Sequence, residues 1–100
     1  PPITNALEFK LVEGENAELI TADVVNKVAQ DGTNQLIVKD NNGEETALNI
    51  FDETVLMNLD GEIVTLDSFD ADSKITAVVS MMTTRSLPPQ RAAFAVRIVE

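Results

Sequence analysis

Six or seven short β-strands closing into a barrel, with little or no helix, are the expectation for this chain of 100 residues. Three observations carry it. Asp31-Gly32, Asn42-Gly43 and Asp60-Gly61 are dipeptides that tolerate the positive φ of tight hairpins, and each lies between aliphatic or β-branched stretches. Strict two-residue alternation runs through 74–81 and 93–98. Pro88 and Pro89, which lack backbone donors, separate those two stretches as a loop. An all-β antiparallel barrel satisfies all three.

Taken in order, Leu7, Phe9 and Leu11 alternate with Glu8 and Lys10, giving a strand that ends at Gly14. Residues 16–29 read two ways. As a helix, Asn16 caps it and Ile20, Val24 and Val28 line one face. As a strand, Ile20, Ala22, Val24 and Val28 share a face, and the β-branched run Ile20, Thr21, Val24, Val25, Val28 favours this reading because such side chains crowd a helix. Leu36-Ile37-Val38-Lys39 precedes the second turn and Thr46 to Phe51 follows it, with Leu48 and Ile50 on one face, Ala47 and Asn49 on the other. Ile63-Val64-Thr65-Leu66 forms a short strand after the third turn, and Phe69 folds back onto a barrel end. Ile75, Ala77, Val79 and Met81 then point one way; in the last strand Phe94, Val96 and Ile98 point inward and Ala93, Ala95 and Arg97 outward. The whole of 1–100 reads as a single domain without repeat or internal linker.

Composition narrows the chemistry. There is no Cys and no His, which removes disulfides, thiolates, imidazole catalysis and His-based metal sites. No Trp or Tyr is present to stack bases or sugars, and the four Phe sit in apolar contexts that read as core. No apolar run approaches the ~18 residues of a membrane span, so no membrane insertion is expected. The Pro1-Pro2 start, without Met, suggests a piece excised from a larger protein with flanking domains. Lack of Cys suits the cytosol and the cell surface alike. The formal charge is −10, unevenly placed: residues 1–73 hold 16 acidic and 3 basic side chains, net −13, while 74–100 hold Lys74, Arg85, Arg91 and Arg97 against Glu100, net +3. Strand pairing of the basic segment beside acidic neighbours explains the split better than a free basic patch. Nucleic acid is not expected as a partner, because its affinity rests on cationic contacts.

The series Ile20, Asp31-Gly32, Leu36-Ile37-Val38, Asn42-Gly43-Glu44, Leu48-Asn49-Ile50, Asp52-Glu53-Thr54, Asp60-Gly61-Glu62, Leu66-Asp67, Asp72-Ser73-Lys74-Ile75 and Ser86-Leu87-Pro88-Pro89-Gln90 resembles small OB-like β-barrel modules of secreted or surface proteins of Gram-positive bacteria. The resemblance covers about residues 18–99, with 1–17 as an N-terminal strand and connection, and Ser86 to Gln90 is its distinctive part. It implies a small antiparallel OB-like β-barrel of five to seven short strands and an extracellular or cell-envelope location. Members are mostly of unknown function, so it carries no catalytic residue and no cofactor across.

Candidate chemistry is sparse. Asp67, Asp70 and Asp72 share one connection, and Asp40, Asn41, Asn42, Glu44 and Glu45 surround a hairpin turn. Clustered carboxylates are how loops hold Ca²⁺, but neither stretch fits the twelve-residue calcium loop and turn chemistry explains both better. Paired carboxylates for glycoside hydrolysis lack an aromatic cleft, and Ser73 and Lys74, as neighbours on a strand, face opposite ways. Met81-Met82 as a soft-metal site loses to Met81 as core filler. No enzyme, cofactor or metal site is expected. The remaining candidate is the loop with Arg85, Leu87, Pro88, Pro89, Gln90 and Arg91: either a proline-stiffened barrel connection with Leu87 capping the barrel end, which is the preferred reading, or a docking surface. The function expected is therefore a non-catalytic spacer or interaction module that meets an unknown protein or cell-wall component. Alternatives are a Ca²⁺ module and an oligosaccharide or single-strand nucleic-acid binder.

Overall fold

The computed structural model describes residues 17–99. The strand expected around Phe9 lies outside them. The segment read two ways is strand from Ala17 on: β1 spans Ala17–Gln30, followed by β2 (Thr33–Lys39), β3 (Glu45–Asn49), β4 (Val55–Met57), β5 (Lys74–Ser80) and β6 (Gln90–Ile98). The only helical element among them is a 3₁₀ turn at Leu66–Ser68.

Antiparallel pairing runs β3-β2-β1-β5-β6, and a parallel contact between β3 and β6 closes the ring, so five strands form a barrel. The sixth, β4, pairs in parallel with the far half of β6, beyond its contact with β3, and turns Leu56 into the ring core. This order is that of an OB-like barrel. β1 serves two neighbours: Ala17–Asp23 pairs with β5, then Asp23–Gln30 with β2.

The turns follow local chemistry. Asp31 and Gly32 both have positive φ (54° and 80°), the geometry of a two-residue hairpin loop between right-twisted strands. A Cβ on Gly32 would meet nothing within 4 Å, so only backbone strain opposes a side chain there. Gly32→Ala is expected to cost about 1 kcal/mol in a urea melt, with the barrel intact. At the second turn the Asp40 carboxylate accepts the Asn42 and Glu44 amides (2.9 and 3.0 Å), and at the third the Asn58 side chain accepts the Glu62 amide (2.9 Å).

Inside the ring, Val24, Leu36, Val38, Leu48, Ile75, Ala77, Val79, Ala93 and Val96 form the core with Phe69. Phe69 follows the 3₁₀ turn and is fully buried. A second, smaller cluster of Met57, Val78 and Ala95, with Val55 and Phe94 against it, joins side chains of β4, β5 and β6.

Two bulges correct the expected faces. In β1 the register passes from Val24↔Val38 to Asn26↔Ile37, leaving Val25 as the extra residue. Parity then inverts: Lys27 stands opposite buried Leu36, and Val28 opposite Gln35 instead of on the Val24 face. In β6 the register passes from Val79↔Ala93 to Val78↔Ala95, so Phe94 is the extra residue. Ala93 turns inward and Phe94 joins the second cluster, the reverse of simple alternation.

Other expectations also give way. Ile63 to Leu66 is no strand; it makes one bridge, Ile63 to Met57, and then winds into the 3₁₀ turn. The strand in this region is Val55–Met57, too short for its alternation to register. Met81 is 57% exposed because β5 stops at Ser80, so it fills no core. Phe51 is 53% exposed and Phe94 half-buried, which leaves Phe69 as the fully enclosed aromatic among the described residues.

Candidate functional site

The connection from β5 to β6, residues 81–89, is an arch held by its own polar groups. Thr84 and Gln90 face each other: the Thr84 amide donates to the Gln90 carbonyl (3.1 Å) and the Gln90 amide to Thr84 Oγ1 (2.9 Å). Thr84 and Ser86 hydroxyls meet at 2.6 Å, and Ser86 Oγ donates to the Pro88 carbonyl (2.9 Å). The Ala47 amide of β3 donates to the Pro89 carbonyl (2.8 Å), which ties the arch to the barrel. The Leu87–Pro88 peptide is cis.

This frame leaves apolar side chains outside. Leu87 is 95% exposed and Met82 76%, so Leu87 does not cap the barrel end as expected. Between the arch and the β2–β3 turn lies a groove of about 590 Å³. Leu87, Pro88 and Pro89 line it on the arch side and Asp40, Glu44 and Glu45 on the turn side, with Thr46, Thr83 and the Glu18-paired Arg91 between.

The two arginines of the arch region have different surroundings. Arg85 is exposed. Arg91 stands on β6, its side chain only 12% exposed, where Nε donates to the Ser80 carbonyl (2.6 Å) and Nη2 pairs with the Glu18 carboxylate. It clamps the end of β5 and the start of β1 to the root of the arch. Gln90 is also a strand residue and turns its amide toward β3.

The rest of the basic segment is likewise paired within the fold. Lys74 Nζ is 3.3 Å from Asp23, its register partner, and Arg97 donates to the Leu59 carbonyl (3.2 Å). Both groups of the Lys74 pair are partly exposed, so it contributes little to stability. Two of the four cations of 74–100, Lys74 and Arg91, thus pair with carboxylates of β1.

Acidic residues of the connections serve turns. Asp72 adopts φ 74° and its amide donates to the Val24 carbonyl (2.8 Å), while the Asp70 carbonyl accepts the Ser73 amide (3.1 Å). Lys27 Nζ donates to the Asp67 carbonyl (2.9 Å) and lies 4.0 Å from Asp70. Among the described residues, no three acidic side chains converge as metal ligands, so Asp67, Asp70 and Asp72 are not brought together. No helix among them is long and apolar enough to cross a membrane.

One further row of polar side chains escaped the sequence reading. On the outer face of the ring, Gln35 Nε2 donates to Asn49 Oδ1 (2.9 Å), and Asn49 Nδ2 reaches Gln90 Oε1 (3.4 Å). These amides belong to β2, β3 and β6 and are half-buried. A groove of about 390 Å³ opens beside them, with Phe51 on its wall. A signal for part of this row was present: Gln35 and Asn49 lie equally far from Asn42, so the hairpin register alone pairs them.

No family model and no curated protein matches this chain.

Proposed function

We propose that this barrel is a non-catalytic interaction module of a secreted or cell-envelope protein, docking a segment of a partner protein in the groove under the arch. The observation that carries the reading is Leu87, held almost fully in water by a frame of five hydrogen bonds within the arch and to β3. An apolar side chain fixed in that way offers contact area whose ordering cost is already met by the fold. The opposite wall is acidic, so the segment suited to it combines apolar side chains with Lys or Arg. The extracellular placement rests on the resemblance of the turn series and the Ser86 to Gln90 stretch alone. The lack of His and Cys, and the absence of convergent carboxylates among the described residues, are consistent with a role without catalysis.

A random peptide library displayed on phage tests this reading directly. Selection against the domain is expected to enrich segments rich in Lys or Arg and in apolar residues, and Leu87→Lys with Glu44→Lys to abolish their retention without lowering the melting temperature. Arg91 is kept in this variant because it holds the barrel together. Enrichment of acidic segments, or retention unchanged by the double substitution, would overturn the assignment.

A further inference from the structure

A segment suited to the groove under the arch carries apolar side chains and a cation, and the chain itself presents one. Residues 81–87 are the longest unbroken run of exposed positions among the described residues. They hold Met81, Met82 and Leu87, all well exposed, with Arg85 among them. Most other described cations are committed within the fold: Lys27, Lys74 and Arg91 lie against carboxylates, and Arg97 donates to the Leu59 carbonyl. Lys39 stands on β2 opposite Glu45, its register partner on β3. The Arg85 guanidinium has neither an ion pair nor a hydrogen bond among the described residues. On the turn side of the groove the Asp40 carboxylate is taken by the Asn42 and Glu44 amides, whereas the Glu44 carboxylate makes no bond among the described residues. An uncommitted cation and an uncommitted carboxylate thus sit at one end of the same molecule, and within that molecule they do not meet.

We infer that the groove is filled by the arch of a second copy of this chain, so that two copies pair through their arches. The inference rests on the docking reading of the groove and names its occupant. Arch and groove adjoin at the same end of the barrel, so a two-fold axis between two copies places each arch in the other's groove at once, and the contact closes. Leu87 of one copy then meets Leu87 of the other near the axis, where both leave water. Arg85 of each copy reaches the Glu44 carboxylate of the other, which supplies the cation that this side of the groove lacks. The arch needs no rearrangement for this, because its bonds among Thr84, Ser86, Pro88 and Gln90 and from Ala47 already fix its shape. Two bodies of formal charge −10 repel each other at long range, but physiological salt screens that repulsion beyond about 8 Å, and the Arg85 to Glu44 contacts are shorter than this. The area of two arches is small, so the pair is a transient one.

Sedimentation equilibrium and an NMR dilution series of the ¹⁵N-labelled chain at physiological salt test the pairing, from about 20 μM to about 2 mM, the span in which small transient interfaces associate. A mass rising towards that of two copies is expected, with concentration-dependent amide shifts confined to 81–91 and 40–46. Arg85→Glu and Glu44→Arg, both at exposed positions, should each lower the association constant at least about tenfold by setting like charges against each other. Mixed in equal amounts, the two variants should recover most of that loss. In the mixed pair the changed arch meets the changed groove, and the native arch meets the native groove. A chain that stays single at the highest concentration, shifts centred elsewhere on the barrel, or a mixture that associates no better than either variant alone would each overturn the inference. Failure here is distinguishable from failure of the docking reading. Displayed peptides with Lys or Arg that are retained by a chain that stays single overturn the pairing alone, whereas loss of both results overturns both.

Discussion

Phe69→Ala is expected to lower stability by about 3–5 kcal/mol and the melting temperature by roughly 15–30 °C. The side chain is fully buried in the ring core among Val24, Leu36, Ile75 and Val79. It enters from the 3₁₀ turn, which is itself fixed by the Phe69 amide on the Leu66 carbonyl (3.0 Å) and by Lys27 on the Asp67 carbonyl. The strands around it are locked to one another by closure, so they have little freedom to collapse into the vacated space, and the cavity term persists. A domain of this length is held by about 5–15 kcal/mol, so the loss takes a substantial share of the margin. Thermal melts followed by far-ultraviolet circular dichroism check it. Phe69→Leu, which refills most of the volume, should recover most of the loss, and Phe51→Ala should show almost none because that ring is already half in water. Equal losses at Phe69 and Phe51 would mean that the ring core is not where the stability resides.

The second large effect is expected at Arg91. Arg91→Ala should cost about 2–3 kcal/mol, whereas Arg85→Ala should leave stability within about 0.5 kcal/mol. The guanidinium of Arg91 makes two charge-assisted contacts from a nearly enclosed position, to the Ser80 carbonyl and to Glu18. Its loss leaves the Ser80 carbonyl without that donor, beside the point where β5 becomes the arch. Glu18 is partly exposed and recovers hydration, which limits the total. Urea denaturation gives the magnitude. Hydrogen exchange locates it, with loss of protection expected at Ala17 to Leu19 and at 79–84 before the rest of the barrel. A stability loss at Arg85 equal to that at Arg91 would contradict the clamp.

Those two arginines show how far sequence carries the site. Both flank the same Leu-Pro-Pro stretch, and nothing in their spacing separates a surface cation from a clamp. The distinction comes from Glu18, which lies 73 positions away and reaches Arg91 because β1 pairs with β5 and β5 with β6. The amide row divides similarly. Gln35 and Asn49 follow from the turn at Asn42-Gly43, but Gln90 joins them through the parallel β3–β6 contact that closes the ring.

By itself the sequence determined what is local. Asp31-Gly32, Asn42-Gly43 and Asp60-Gly61 mark turns because positive φ is a property of those residues and their immediate neighbours. The inner faces of β5 and of the first half of β1 followed from period two, and the shortage of helical pattern followed from β-branched residues. Tertiary structure decided the rest. Alternation is counted residue by residue, so the extra residue at Val25 inverts the faces beyond it, and the one at Phe94 reverses Ala93 and Phe94 while Val96 and Ile98 point inward as expected. Closure between β3 and β6, the burial of Phe69 and the exposure of Leu87 all depend on contacts between distant segments. Those contacts exist only once the ring is shut, which is why no local pattern announces them.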